Sequence, residues 1–93
     1  MYFVISCTDK PGQPERRQAN RDDHLDYLAG HADRILVAGP TLSDDGVPNG
    51  SLLIMDFEDL GAARAFADGD PYNKAGVFQA VSIKPWRKVF PKD

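Results

Sequence analysis

The stretch DPYNKAGVFQAVSIKPWRKVF, residues 70–90, predicts how this chain closes its fold. Asp70 followed by Pro71 is typical of a helix start, because a carboxylate accepts hydrogen bonds from free N–H groups and proline suits the first helical position. Gly76 can end this short helix in a left-handed conformation. The residues that follow alternate with the period of a strand, and Pro85 either ends that strand or confines it to a sheet edge. The stretch therefore predicts a helical turn that leads into a final strand.

Three further strands and two longer helices are predicted upstream of this stretch. Aromatic and β-branched residues predict strands over residues 2–7, 34–38 and 51–57. Between them, Pro and Gly predict a loop over residues 8–14, a stop of the second strand at Gly39-Pro40, and a hairpin loop over residues 43–49. We expect the first helix to span residues 15–30 and the second to run from an N-cap at Asp59 to about Gly69.

The order of these elements is β-α-β-β-α-β, within a single domain over residues 1–93. This is the split βαβ arrangement of the α+β, ferredoxin-like fold. Right-handed crossovers place both helices on one face of an antiparallel sheet. Helical spacing predicts the residues that face this sheet, which are Leu25, Leu28, Ala29 and Ala32 in the first helix and Leu60, Ala63, Phe66 and Ala67 in the second.

The predicted sheet is apolar on both of its faces. Leu53 and Met55 alternate with Leu52 and Ile54 in the third strand, the first strand has the same pattern, and Leu36 opposes Ile35 and Val37 in the second. Two helices cover only one face, and a face in contact with water would carry polar residues at alternate positions. We therefore expect a homodimer in which two copies pack sheet to sheet, as in a dimeric α+β barrel.

Composition and charge exclude several classes of protein. The chain has a net charge of −3, which argues against a nucleic-acid partner, and the cluster of Arg16, Arg17 and Arg21 is interpreted as a solvated helix face because acidic residues lie among it. The apolar runs are shorter than the roughly 20 residues that a membrane span needs. Cys7 cannot form an internal disulfide and is predicted to be a buried structural thiol, and there is no signal pattern, so we expect a cytoplasmic protein.

Few side chains remain that can carry chemistry. The chain has two histidines, one cysteine and no glycine-rich phosphate loop, so neither a metal nor an organic cofactor is expected. The topology predicts that Asp70 lies near His24, where a carboxylate can orient the imidazole for general acid–base catalysis. Arg21 can hold an anionic substrate and Ser51 can offer a hydroxyl. The alternative is that His24 and Arg21 are surface residues, that Asp70 is only a helix cap, and that Ser51 is an ordinary strand residue.

The sequence resembles the YciI-like (YCII-related) family over nearly its whole length. The resemblance lies in RDDHL (21–25), VAGP (37–40), GS (50–51), DPY (70–72), AGVF (75–78) and KPWRKVF (84–90). It implies a ferredoxin-like domain that pairs into a dimer, with an active site at His24 and Asp70. Elimination-type lyase chemistry is associated with the family, although the reactions of most members are unassigned.

Two hypotheses for the function remain. The first is a small dimeric enzyme without a cofactor, in which His24 and Asp70 catalyse acid–base chemistry of the elimination or hydrolysis type on a small organic substrate. The second is a non-catalytic dimeric module that binds a small ligand or a protein. Analogy with other dimeric α+β barrels, which include monooxygenases and isomerases, concerns the fold alone. A cavity with His24 and Asp70 in hydrogen-bond contact favours the enzyme.

Overall fold

The predicted junction at Asp70 and the strand after it are present in the structure, a computed structural model that describes residues 1–12 and 14–92. Within this part of the chain, the strands are β1 (Tyr2–Asp9), β2 (Ile35–Leu42), β3 (Pro48–Asp56) and β4 (Phe78–Trp86), and the helices are α1 (Pro14–Ala19), α2 (Arg21–Ala29), α3 (Leu60–Gly69) and α4 (Pro71–Lys74), with a 3₁₀ turn at Ala32–Arg34. The strands form one antiparallel sheet in the order β2-β3-β1-β4. This confirms the α+β, ferredoxin-like fold. Position 13 of the predicted first loop lies outside the described residues.

The junction between α3 and β4 forms as its local signals predict. The Asp70 carboxylate accepts a hydrogen bond from the backbone N–H of Tyr72 at 2.9 Å, and Pro71 occupies the first turn of α4. Gly76 has a φ of +76°, a conformation that side chains with a Cβ rarely adopt. The carbonyl of Val77, the next residue, then accepts a hydrogen bond from the N–H of Lys10, which ties the start of β4 to the end of β1.

The core lies between the sheet and the helices. Phe3, Ile5, Leu53 and Met55 point from the two central strands to the helical side and are almost fully buried. They pack with Ala63, Phe66 and Ala67 of α3, and with Tyr72, Val77 and Phe78 from the junction. Asp59 caps α3 as predicted, because its side chain accepts a hydrogen bond from the N–H of Ala62. Leu60 is 48% exposed, so the prediction that it faces the core is wrong.

The prediction that Gly39-Pro40 stops the second strand is wrong. Strand β2 continues to Leu42, and Pro40 lies opposite Ser51 in the ladder with β3. Because β2 is at the edge of the sheet, a residue without an N–H can be accommodated when that position faces away from the ladder. Strand β4 is the other edge, and it includes Pro85 in the same way. Of the two outcomes predicted for Pro85, confinement to an edge is the one observed.

The first predicted helix is divided into α1 and α2 at Asn20. The side-chain amide of Asn20 donates to the carbonyl of Arg16 at 2.9 Å and so competes with the helical hydrogen bond there. The face that α2 turns to the core carries the buried His24 and the half-buried Tyr27 and Leu28. The predicted inward positions Leu25, Ala29 and Ala32 are exposed, which corrects that prediction. No helix in the described ranges is long and apolar enough to cross a membrane.

The other face of the sheet carries apolar residues that no part of the described chain covers. Val37 and Leu52 are 52% and 39% exposed, and Val4 and Ile54 are half-buried beside them. A register shift in β2 pairs Ile35 with Met55 on the helical side and Val37 with Ile54 on this open face. The prediction that Ile35 and Val37 share a face is therefore wrong, because the irregularity between them reverses the alternation.

Candidate functional site

A cavity of about 340 Å³ opens between the first two helices and the β2–β3 side of the sheet. Three of the four residues predicted for the site, His24, Arg21 and Ser51, line it. The fourth, Asp70, is 3% exposed and does not line the cavity, but it is hydrogen-bonded to His24, which does. The remaining walls are mostly apolar and come from α1, α2, β2 and β3, as the lining residues Pro14, Leu25, Leu28, Ala38, Pro40 and Leu53 show.

His24 and Asp70 form a buried hydrogen-bonded pair. The distance between His24 Nδ1 and Asp70 Oδ1 is 2.9 Å, and both residues are less than a tenth exposed. A carboxylate oxygen only accepts, so Nδ1 carries the proton and Nε2 is left with a lone pair in the neutral ring. Nε2 makes no hydrogen bond with residues 1–12 or 14–92. The arrangement therefore presents a proton acceptor at the cavity wall.

Tyr72 lies directly beside this pair. Its ring is stacked on the imidazole of His24, with ring centroids 3.9 Å apart and an angle of 13° between the planes. The guanidinium of Arg17 lies 4.6 Å from the centroid of the same Tyr72 ring. Burial raises the pKa of the Tyr72 hydroxyl, against the opposing effect of the Arg17 and Arg21 charges. At neutral pH the hydroxyl is therefore protonated, and Tyr72 holds the imidazole in one plane.

Arg17 is buried, so the prediction that it lies on a solvated helix face is wrong. It is 8% exposed, and its Nε and Nη2 donate to the two carboxylate oxygens of Asp9 at 2.7 and 3.1 Å. Nη2 also donates to the carbonyl of Gly50 and to Ser51 Oγ, both at 2.8 Å. Burial disfavours its charged form, but the hydrogen bond to Asp9 and the Asp9 charge more than offset this, so the Arg17 pKa is raised. Paired in this way, the charge persists inside the protein.

The sequence contained a signal for Arg17 that its interpretation did not use. Arg17, Arg21, His24 and Leu28 recur at helical spacing, and all four line the cavity. Polar residues at helical spacing that continue into an apolar position lie on one face of the chain, which is consistent with the wall of a cavity. Asp9 and Tyr72 could be connected to the site only by the folded structure.

Ser51 lines the cavity and directly follows the buried Gly50 in β3. Ser51 is 4% exposed, and its oxygen accepts the hydrogen bond from Arg17. A Cβ at Gly50 would come within 2.4 Å of the carbonyl oxygen of Cys7 and 2.6 Å of Thr41 Oγ1. Glycine is thus needed at this position for the strands to approach and for the Gly50 carbonyl to reach Arg17.

Arg21 differs from Arg17 in its surroundings. It is exposed at the cavity wall and forms no ion pair or hydrogen bond with the residues that the structure describes. The charge of Arg17 is balanced by Asp9, whereas the charge of Arg21 is not balanced by a bound partner. The cavity therefore favours a negatively charged ligand on the Arg21 side.

The other residues capable of chemistry are not part of the cavity. Burial raises the pKa of the Cys7 thiol to about 12, and the Asp70 charge acts in the same direction, so Cys7 is an unreactive buried thiol. His31 contacts the carbonyl of Tyr27 through Nδ1 at 2.8 Å and packs against Phe66. Among the described residues, no group of three or more His, Cys, Asp or Glu side chains is placed to hold a metal ion.

The chain is similar to known proteins over almost its full length. The model of the YCII-related domain matches residues 1–87. Protein YciI of Escherichia coli O6:H1 is 44% identical, over 97% of this chain and all of that protein, and an uncharacterized protein of Haemophilus influenzae is 43% identical with the same coverage.

One solved structure resembles this chain in both fold and sequence. It is 5-chloro-2-hydroxyhydroquinone dehydrochlorinase (TftG) from Burkholderia phenoliruptrix in complex with 2,5-dihydroxybenzoquinone, with a TM-score of 0.88, 38% identity and 94% of each chain covered. The domain match and the whole-chain identity to YciI are consistent with the order of elements and with the residue motifs. The chain belongs to the YCII-related family.

Proposed function

We propose that this protein is a small enzyme that catalyses an elimination on a small organic substrate, with His24 as the general base and Asp70 as the residue that orients it. The observation that carries the proposal is the buried His24–Asp70 hydrogen bond in the wall of a 340 Å³ cavity, which leaves Nε2 of His24 without a hydrogen-bond partner among residues 1–12 and 14–92. The elimination chemistry of TftG, a relative at 38% identity, supports this class of reaction.

The reaction is balanced without an oxidant or a reductant. Nε2 of His24 accepts a proton from a C–H or O–H bond of the substrate, and the electron pair of that bond becomes part of a new double bond. The leaving group, such as chloride, departs with the electron pair of the bond that breaks. Asp70 stabilises the positive charge that forms on the imidazole, since a carboxylate hydrogen bond is stronger to a charged donor. Arg21 and Ser51, which also line the cavity, bind the substrate.

The experiment is a measurement of chloride release from 5-chloro-2-hydroxyhydroquinone. We expect the wild-type protein to release chloride faster than the buffer alone and His24→Gln to abolish the increase, because glutamine cannot accept the proton. Arg64→Ala, an exposed change on α3 away from both the cavity and the open face of the sheet, is the control and should retain full activity. Equal rates for wild type and His24→Gln, or no release above the buffer, would contradict the proposal and favour a binding module.

We also propose that the active form is a homodimer that packs through the open face of the sheet. The exposed Val37 and Leu52 support this, together with the half-buried Val4 and Ile54, because exposing an apolar face of this kind to water costs free energy that packing against a second copy recovers. Tyr2 and Trp86 extend the same face, with ring centroids 5.9 Å apart. The cavity lies on the opposite, helical side of the sheet, so sheet-to-sheet packing leaves it accessible to substrate.

A further inference from the structure

The Arg17 guanidinium, which lines the cavity, connects three separate parts of the fold. It donates to Asp9 at the end of β1, to Gly50 and Ser51 in β3, and it lies over the ring of Tyr72. The carboxylate of Asp9 balances the charge of Arg17, so Arg17 is not the group that attracts a substrate. Its effect on a bound molecule must therefore act through the side chains that it touches.

The contact with Ser51 determines which kind of hydrogen bond the serine can offer. A hydroxyl has one proton to donate and two lone pairs that accept, whereas a guanidinium only donates. Because Arg17 Nη2 lies 2.8 Å from Ser51 Oγ, it occupies one lone pair of that oxygen. Ser51 donates no hydrogen bond to residues 1–12 or 14–92, and its side chain lines the cavity. Its proton is thus free for a ligand in the cavity.

The neighbouring charges indicate what this proton meets. Arg21 begins α2, just after the break at Asn20 that separates it from Arg17 in α1; it lines the same cavity and has no ion-pair partner in the described part of the chain. The Ser51 hydroxyl is polarised by Arg17, and Arg21 lines the same cavity. Together, this donor and this positive charge suit a ligand oxygen that carries negative charge. The apolar walls suit the carbon skeleton that bears this oxygen.

We propose that Ser51 and Arg21 form a subsite for an enolate or phenolate oxygen of the substrate, and that Arg17 is a positioning residue that keeps the Ser51 hydroxyl as a donor. The assignment rests on the proposed function in that it places this oxygen in the cavity where His24 acts. It adds the substrate class, which is a small apolar molecule, such as a ring, with an ionised oxygen. It also assigns a role to Asp9, whose carboxylate fixes the orientation of Arg17.

The test is a binding measurement that requires no turnover. The probe is 2,5-dihydroxybenzoquinone, which is ionised at neutral pH because each hydroxyl is conjugated to a carbonyl, as in a carboxylic acid. Hydroquinone is the neutral comparison probe: it also has a six-carbon ring and two hydroxyls, which stay protonated at neutral pH, but its ring is aromatic and has no carbonyl groups. We expect the Kd for the ionised probe to be at least about 10-fold lower than for hydroquinone, and Ser51→Ala to raise the Kd for the ionised probe about 10-fold. Arg64→Ala, an exposed change on α3 away from the cavity, should leave both values unchanged.

A double-mutant cycle separates positioning from simple structural support. Arg17→Lys keeps a positive charge for Asp9 but lacks the fork that reaches Asp9 and Ser51 together. We expect it to weaken binding about as much as Ser51→Ala, and the double variant to bind no more weakly than Arg17→Lys alone. Independent, additive losses would overturn the positioning role. Should Arg17→Lys fail to fold, Ser51→Ala and the probe pair still decide the subsite.

The outcomes also distinguish this proposal from the proposed function. His24→Gln should retain binding of the ionised probe within a few-fold while it abolishes chloride release. Binding that depends on Ser51, in a protein that releases no chloride, would leave the subsite intact and contradict the elimination. Chloride release and probe binding that are both unaffected by Ser51→Ala would overturn the subsite and leave the elimination intact.

Discussion

Asp70→Asn separates geometry from charge at the site, because one oxygen of Asp70 has two roles. Oδ1 accepts from the N–H of Tyr72 and from Nδ1 of His24, each at 2.9 Å. An asparagine can present either its oxygen or its NH₂ group at this point. Only the oxygen suits the Tyr72 N–H, since an NH₂ group there would face another donor. The cap therefore holds the amide oxygen toward His24 as well, and the imidazole keeps its proton on Nδ1.

The expected loss of activity in Asp70→Asn follows from the loss of the carboxylate charge alone. Hydrogen bonds to charged groups contribute about 1.5–3 kcal/mol and neutral ones about 0.5–1.5 kcal/mol, so the imidazolium formed in proton transfer loses about 1–1.5 kcal/mol of stabilisation. This corresponds to a decrease of about 10-fold in kcat/KM. In the serine protease triad the equivalent change costs about 10⁴-fold, because the histidine there adopts the wrong tautomer. The backbone cap predicts a much smaller effect in this protein.

Asp70→Ala is the matched variant that removes both roles. It leaves the Tyr72 N–H and the His24 Nδ1 proton without their acceptor in a site that is almost fully buried. We expect it to lower the free energy of unfolding by about 2–4 kcal/mol, against about 1–2 kcal/mol for Asp70→Asn.

Three measurements check these expectations: ¹⁵N NMR of the imidazole nitrogens, urea unfolding, and chloride release. Asp70→Asn should keep the Nδ1–H tautomer of His24 and retain about a tenth of the activity. A loss near 10⁴-fold together with an Nε2–H tautomer would refute the argument that the cap fixes the amide. Unchanged activity with an unchanged tautomer would refute the role of the carboxylate charge.

Two further predictions concern the core and the open face of the sheet. Because burial raises the pKa of Cys7 from its ordinary value of 9.0 to about 12, its contribution to stability is fully present below pH 9 and falls by about 1.4 kcal/mol per pH unit as the pH rises from 9 toward 12. Cys7→Ala should remove this part of the slope in urea unfolding between pH 8 and 10.5, and parallel slopes in the two proteins would contradict it. Leu52→Lys, at a 39% exposed position of the open face, should convert the proposed dimer into a folded monomer by sedimentation, with an unchanged circular dichroism spectrum. A dimer that persists in this variant, as it should in Arg64→Ala on α3, would exclude the sheet-to-sheet interface.

The junction around α4 was predictable because its signals are local. The side-chain cap at Asp70, the fixed φ of Pro71 and the positive φ of Gly76 each act within a few residues of the chain. The meeting of His24 and Asp70 followed from the order of the elements, since the ferredoxin-like topology brings the end of α3 near α2. Its 2.9 Å hydrogen bond is a detail that topology alone could not provide.

The errors arose where tertiary structure decides a local question. A proline stops a strand that is paired on both sides, but an edge strand can accommodate it, as β2 accommodates Pro40. The sequence does not state which strand is the edge. Asn20 divides a helix whose apolar and polar residues recur without interruption, because its side chain competes for the carbonyl of Arg16. At both positions the type of element was predicted correctly, but its bounds were not.

Arg17 was misjudged for a different reason, which is the assumption that a cluster of charges is solvated. Burying an arginine is favourable only when its hydrogen bonds and its charge are satisfied together. Asp9, the Gly50 carbonyl and Ser51 do this, but they lie 8, 33 and 34 residues away in the sequence. The residues next to Arg17 in the sequence do not indicate these partners.

The cavity itself follows from the edge position of β2. Ala38 and Pro40 pair with Leu53 and Ser51, so their side chains face the helical side of the sheet, yet both are exposed. No helix of the described chain packs over them, and the small side chains at this part of β2 leave the space above the strand open. The imidazole of His24 and the hydroxyl of Ser51 border that space, held by Asp70 and Arg17 behind them. The hydrogen-bonded His24–Asp70 pair and the Ser51 hydroxyl thus lie beside an opening that exists because the helices leave this part of the edge strand β2 uncovered.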